Sequence, residues 1–185
     1  MSIVAIAKWL EGLALARFVA QAPWVFPTVE TIHVVAIAMV VGSIAVVDLR
    51  LLGVSWTSRP VTEVAEEILP WTWGGFFIAV LAGALMFISA ASKYVVDVPF
   101  QLKMLLLVCA GVNMLTFHHV TYRDVGVWNH GRTPRTAKLA AGLSLAFWIA
   151  IVTCGRLVSF TTQDEFEPPS TSVAPAPAAA RVLDD

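Results

Sequence analysis

Of 185 residues, 58% are hydrophobic and 14% charged, and the formal net charge is −1. Soluble domains carry about 25% charged residues, so with a mean hydropathy of +0.77 the solvent of this chain is mostly lipid. The balanced charge excludes a nucleic-acid partner, and the length suits one helical bundle with a tail.

The N-terminal stretch, Ile3–Ala20, is apolar but interrupted by Lys8, Glu11 and Arg17. A signal peptide carries its positive charge ahead of its apolar core. The stretch reads instead as an amphipathic helix over residues 1–22, lying in the membrane interface. As a fifth span it would bury up to three charges at about 2.5–3.5 kcal/mol each. Pro23 and Pro27 then break the chain. Thr28 is placed to cap a helix start, with Glu30 in the first turn, where the helix dipole favours a carboxylate.

Four apolar runs follow, at about 29–52, 73–94, 98–120 and 136–160. A bilayer core of about 30 Å needs about 20 helical residues, and each run supplies them. The predicted fold is all-α: a polytopic integral membrane four-helix bundle over 28–160. Gly53 suits the stop of the first span. Residues 54–70, with Arg59, Glu63, Glu66 and Glu67, read as a polar loop or short helix outside the bilayer, and Trp71 and Trp73 as interfacial residues opening the second span. Asp97 and Pro99 mark a tight turn. A charged connection, 122–135, joins the third and fourth spans. The tail, 161–185, is Pro/Ala-rich and is expected to be disordered.

Small residues recur at four-residue steps: Ala38 and Gly42; Gly75, Ala79 and Gly83; Gly142, Ala146, Ala150 and Cys154. Such ridges let helix backbones approach closely in lipid. Four crossings put both ends of the set on one side, the terminal face, with loops 53–72 and 121–135 on the other. Basic residues favour the loop face mildly, which makes the loops cytoplasmic and the termini periplasmic.

Ionisable groups within spans are functional candidates. Glu30, His33, Ile37, Ile44 and Asp48 share one stripe of the first helix at 100° per residue. Lys103 starts the third helix from the same face, so Glu30, His33 and Lys103 form one candidate polar cluster. Set against this, Glu30 can serve the helix start and Lys103 can snorkel to headgroups. Asp48 and Arg50 at the other end need partners, and His118 and His119 lie at that level, giving an expected loop-face network. Asn113 reads as interhelical glue.

Histidines in a membrane bundle raise b-type haem as an alternative. His33 lies about 7 Å from the terminal face and His118 about 27 Å, and a gap of about 20 Å is too great for one iron. Met86 is the alternative partner for His33, and His118 or His119 with His130 another. A proton or ion path along Glu30, His33 and Asp48 is a further alternative. No metal site or cofactor is predicted: Cys109 and Cys154 lack metal-ligand spacing and read as small buried hydrophobes. No His-Glu-x-x-His, phosphate loop or Gly-x-Ser-x-Gly is present. The leading expectation is a non-enzymatic membrane component that works with lipid, other membrane proteins or a second copy of itself.

Pro27–His33, Val41-Gly42-Ser43, Asp48–Gly53, Pro70–Phe76, Phe100–Lys103, Ala110–Asn113 and Phe117-His118 resemble an uncharacterised bacterial family of small four-helix membrane proteins. The resemblance covers the first through third helices. It implies a bacterial inner membrane and four spans, and supplies no activity, cofactor or catalytic residue.

Overall fold

The computed structural model describes residues 2–129 and 133–163. His130, Arg132 and the tail beyond 163 lie outside the described residues. The chain order is α1 (Ile3–Glu11), α2 (Ala14–Gln21), α3 (Val25–Leu52), α4 (Val61–Ser89), α5 (Ala91–Tyr94), α6 (Val98–Thr116), α7 (Val125–Trp128) and α8 (Arg135–Gln163). A π-helical turn, Phe117–Thr121, and a 3-10 turn, Tyr122–Asp124, link α6 to α7. Four helical stretches are long and apolar enough to cross a membrane: Val25–Leu52, Val61–Ser89, Val98–Trp128 and Arg135–Thr161.

Several boundaries differ from the sequence reading. The N-terminal stretch is two helices. It breaks after Glu11, where Gly12 closes α1 and extended Leu13 opens α2. α3 begins at Val25, so Pro27 falls in its first turn, where a missing N–H costs no helical bond. Thr28 does not cap: its hydroxyl donates back to the Trp24 carbonyl at 2.6 Å. α4 begins at Val61 and runs through Pro70, so the first loop shrinks to 53–60 and Trp71 and Trp73 sit within the helix. Its C-terminal end is earlier than expected, at Ser89, where Ala90 leaves helical geometry. The start of the tail, 161–163, is helical.

Other signals hold. Gly53 ends α3 in the left-handed region (φ +81°), donating to the carbonyls of Leu49 and Arg50. Asp97 caps α6, its Oδ2 accepting from the Phe100 N–H at 2.9 Å.

α4 packs along α3, α3 along α8, and α8 along α6. The α3–α4 seam is the tightest. A Cβ on Gly75 would lie 2.8 Å from Met39 Cε, 3.1 Å from Val40 Cγ2 and 3.3 Å from the Ala36 carbonyl oxygen, so a larger residue there would push the neighbours apart. Ala79 is buried one turn on, and Gly83 one turn further meets His33. The expected ridge of α4 is therefore a packing surface. The first-span ridge is not, and the fourth-span ridge is one only at its Cys154 end: nothing lies within 4 Å of a Cβ built on Gly42 or Gly142, whereas Ala36 and Val40 on α3, and Ala137, Ala141 and Ile151 beside Cys154 on α8, are buried. Asn113 glues α6 to α8 as expected, its Nδ2 donating to the Ala140 carbonyl at 2.9 Å. Thr72 Oγ1 donates to Ser43 Oγ at 2.8 Å across α3 and α4.

At the loop face, Leu51, Val61, Ala137 and Ala141 form a buried core, flanked by Val47, Leu52, Phe117 and Trp128. At the terminal face α1 and α2 lie against α3, α4 and α5, with Ala7, Ala16 and Val19 buried and Trp9 and Phe18 turned outward. Glu11 fastens this hairpin: one oxygen accepts from the Ser92 N–H and hydroxyl, each at 2.7 Å. Those hydrogen bonds hold the Glu11 carboxyl below its ordinary value.

Candidate functional site

The four spanning helices meet at one level near the terminal face. His33 lies about 12 Å along α3 from Val25, and Lys103 about 8 Å along α6 from Val98. α4 contributes Ala79 and Gly83, and α8 contributes Cys154 and Gly155.

His33 Nδ1 lies 2.8 Å from the Ala79 carbonyl oxygen. A carbonyl only accepts, so Nδ1 carries the proton and, in the neutral ring, Nε2 presents its lone pair. The ring lies close against Gly83, where an added Cβ would be 2.9 Å from Cε1 and 3.3 Å from Nδ1. Lys103 is within electrostatic reach of His33, and its Nζ lies 3.7 Å from a Cβ built on Gly155. Cys154, beside it on α8, is buried.

The predicted trio is only partly assembled. His33 and Lys103 come together, whereas Glu30 forms no ion pair with either. Its charge acts on Tyr94, whose phenol burial, Glu30 and Asp97 hold above the ordinary value. Tyr94 closes the terminal face with Phe87 and Phe100, the Phe87–Phe100 and Tyr94–Phe100 centroids each 5.5 Å apart. His33 and Lys103 thus lie within electrostatic reach of each other, and neither forms an ion pair with a carboxylate among the described residues.

The expected loop-face network does not form. Arg50 is buried, but its Nε donates to the Arg59 carbonyl at 2.7 Å. Arg59 in turn pairs with Glu63 and Glu67, each at 2.6 Å. Asp48 is buried beside Ser144 of α8. His118 and His119 are exposed. His118 Nδ1 lies 3.2 Å from the Met114 carbonyl of its own helix, and the ring leans on Phe117 and Tyr122. The reason is the π-helical turn, which turns both imidazoles away from α3. His119 lines a shallow surface depression of about 440 Å³ with Val120, Arg123 and Asp124. A second, of about 510 Å³, lies at Ser92–Pro99 and Thr161. Neither touches His33 or Met86. Met86 is half-buried, one turn beyond Gly83 on α4.

Sequence reasoning missed Ala79, Gly83 and Gly155 as the walls of the site, and Ser144 and Ser92 as partners of acids. Of the walls, Ala79 and Gly83 carried a signal, as members of one small-residue ridge, and Gly155 carried none.

A family model described as a family of unknown function, DUF6644, matches residues 7–161. The chain belongs to DUF6644. The match takes in the whole of α2 through α7 and nearly all of α8, so the family extends beyond the three spans on which the resemblance rested. No curated protein and no solved structure matches this DUF6644 chain.

Proposed function

We propose that this DUF6644 protein is a non-enzymatic component of a membrane complex that holds an anionic group, of the lipid-phosphate type, at Lys103. The observation that carries the reading is the Lys103 ammonium, set against Gly155 of α8 and within electrostatic reach of His33, with no carboxylate paired to it among the described residues. A lysine charge in the hydrocarbon region costs about 2.5–3.5 kcal/mol, and an anion supplied from outside the chain lowers that cost. α4 and α6 share no seam comparable to the other three, so a lipid headgroup has a lateral approach. α6 has no buried residue, which leaves a broad face for another membrane protein or a second copy. The basic bias of the loop face and the family resemblance support a bacterial inner membrane with cytoplasmic loops.

The test is thermal stability of delipidated protein in neutral detergent, titrated with short-chain phosphatidylglycerol or phosphatidylcholine. Anionic lipid is expected to stabilise the wild type, and Lys103→Gln to abolish the difference. Equal stabilisation by both lipids, or an unchanged difference in the variant, refutes the reading.

One observation favours the haem alternative. His33 is tethered through Nδ1 with Nε2 left to ligate, the arrangement that orients metal-binding imidazoles. His118 is about 18 Å away along the bundle axis and exposed, so Met86 is the partner that fits by level. An absorption spectrum of the purified protein decides: a Soret band lost in His33→Ala establishes haem, and a colourless protein after haem reconstitution removes it. A continuous proton path is less favoured. His33 and Asp48 are about 22 Å apart along α3, with the Ser43–Thr72 pair between them, and those steps exceed hydrogen-bond reach.

A further inference from the structure

Asp48 is 6% exposed, in the last turns of α3, and its Oδ2 is buried with no hydrogen-bond partner. Ser144, one turn deeper in α8 than Ala141, faces the carboxyl group with its hydroxyl. Leu51, Ala137, Ala141 and Val61 form an apolar plug on the loop-face side. Among the described residues no base pairs with it. Arg50 is committed to the Arg59 carbonyl. On α4, Glu67 and Glu63 pair with Arg59, and Glu66 acts on Tyr122. On α8, the Lys138 ammonium lies at Gly53, beyond the plug. An ionised carboxylate so placed would have one hydroxyl donor for two oxygens, and burying a charge that poorly compensated is strongly unfavourable.

We propose that Asp48 and Ser144 form a proton-binding site within the membrane, in which Asp48 is held as the neutral carboxylic acid. The site is separate from the His33–Lys103 end and does not rest on the anion reading. Neutralisation removes the buried charge. The acid O–H and the serine hydroxyl then form a pair able to donate and accept within one cavity, as the geometry of a carboxyl beside a hydroxyl allows.

The test is labelling of the full-length protein in proteoliposomes with dicyclohexylcarbodiimide, which reacts with protonated carboxyl groups in apolar surroundings. The acid proton passes to a carbodiimide nitrogen, the carboxylate oxygen bonds to the central carbon, and the O-acylisourea rearranges to a stable N-acylurea with no other reactant. Peptide mass spectrometry locates the adduct. The expected result is an adduct on Asp48 at neutral pH, fading as pH rises, absent in Asp48→Asn, and unaffected by sodium. Ser144→Ala is expected to keep the adduct and move the pH at which it fades. No Asp48 adduct at any pH, while an exposed acid such as Glu63 is labelled at low pH, overturns the proposal. So does protection by sodium, which would make this a metal-cation site. The wild-type pH profile decides even where a variant fails to fold.

Discussion

The closest contact at the candidate site gives a sharp test of its geometry. In Gly83→Ala the new methyl carbon would lie 2.9 Å from His33 Cε1 and 3.3 Å from Nδ1, so the imidazole must move. Overfilling a packed interior costs about 1–3 kcal/mol. Losing the 2.8 Å bond to the Ala79 carbonyl adds about 0.6 kcal/mol, the average for interhelical hydrogen bonds in membranes. Alanine returns up to about 1 kcal/mol of helix propensity. The net expectation is destabilisation by about 0.5–2.5 kcal/mol, read from helical circular dichroism during reversible unfolding in mixed micelles. Gly155→Ala is the control: its Cβ would meet Lys103 Nζ at an ordinary 3.7 Å, so its effect is expected to lie between neutral and about 1 kcal/mol stabilising. The decisive measurement is a double-mutant cycle. In a His33→Ala background the ring is gone, and Gly83→Ala should become neutral or stabilising. Equal costs in both backgrounds would show that His33 does not rest on Gly83.

Two further outcomes follow from contacts at the ends of the bundle. The folded Glu11 carboxyl sits below its ordinary value of 4.5, so the stability that it lends the N-terminal hairpin is fully present above that value and lost as pH falls through the lower, folded one. Hydrogen exchange of α1 and α2 is expected to accelerate below about pH 4 in the wild type, and Glu11→Gln to remove most of that dependence. Asn113→Ala deletes the bond to the Ala140 carbonyl, at a cost of about 0.6–1.7 kcal/mol. Because α6 is seamed to α8 alone among the spanning helices, amide exchange should rise in α6 first. A uniform rise across all four spans would contradict that arrangement.

The membrane architecture was legible because hydrocarbon thickness acts on every residue of a span. Four apolar runs, the Gly53 stop and the Asp97 cap are local signals, and local physics decided them. The misplaced starts have local explanations too. Pro27 reads as a break, yet a proline in a first turn removes no bond, and residues 54–70 read as a loop or short helix, yet α4 already starts at Val61 and continues through Pro70. The ridges at Gly42 and Gly142 failed for a different reason. Small residues on a lipid-facing surface and in a seam look alike in sequence, and only the partner helix distinguishes them, as Ala36 and Val40 do for Gly75.

The site was half legible for a related reason. Periodicity places residues on one helix, so it found the Glu30–His33–Asp48 stripe. It carries nothing about which acid meets which base across helices. Glu30 was assigned to Lys103 by level, but the short α5 brings Tyr94 to it instead. Asp48 was assigned to the two histidines by depth, but the π-helical turn at 117–121 rotates them outward and Ser144 takes that place. Both errors leave the same consequence. Near the terminal face two bases meet without an acid, and near the loop face an acid is buried without a base. Opposite charges that could have neutralised each other stand about 22 Å apart along α3, where Coulomb attraction through the seam cannot replace contact. Each end is therefore left to local balance, which the anion proposed at Lys103 and the proton proposed at Asp48 would supply.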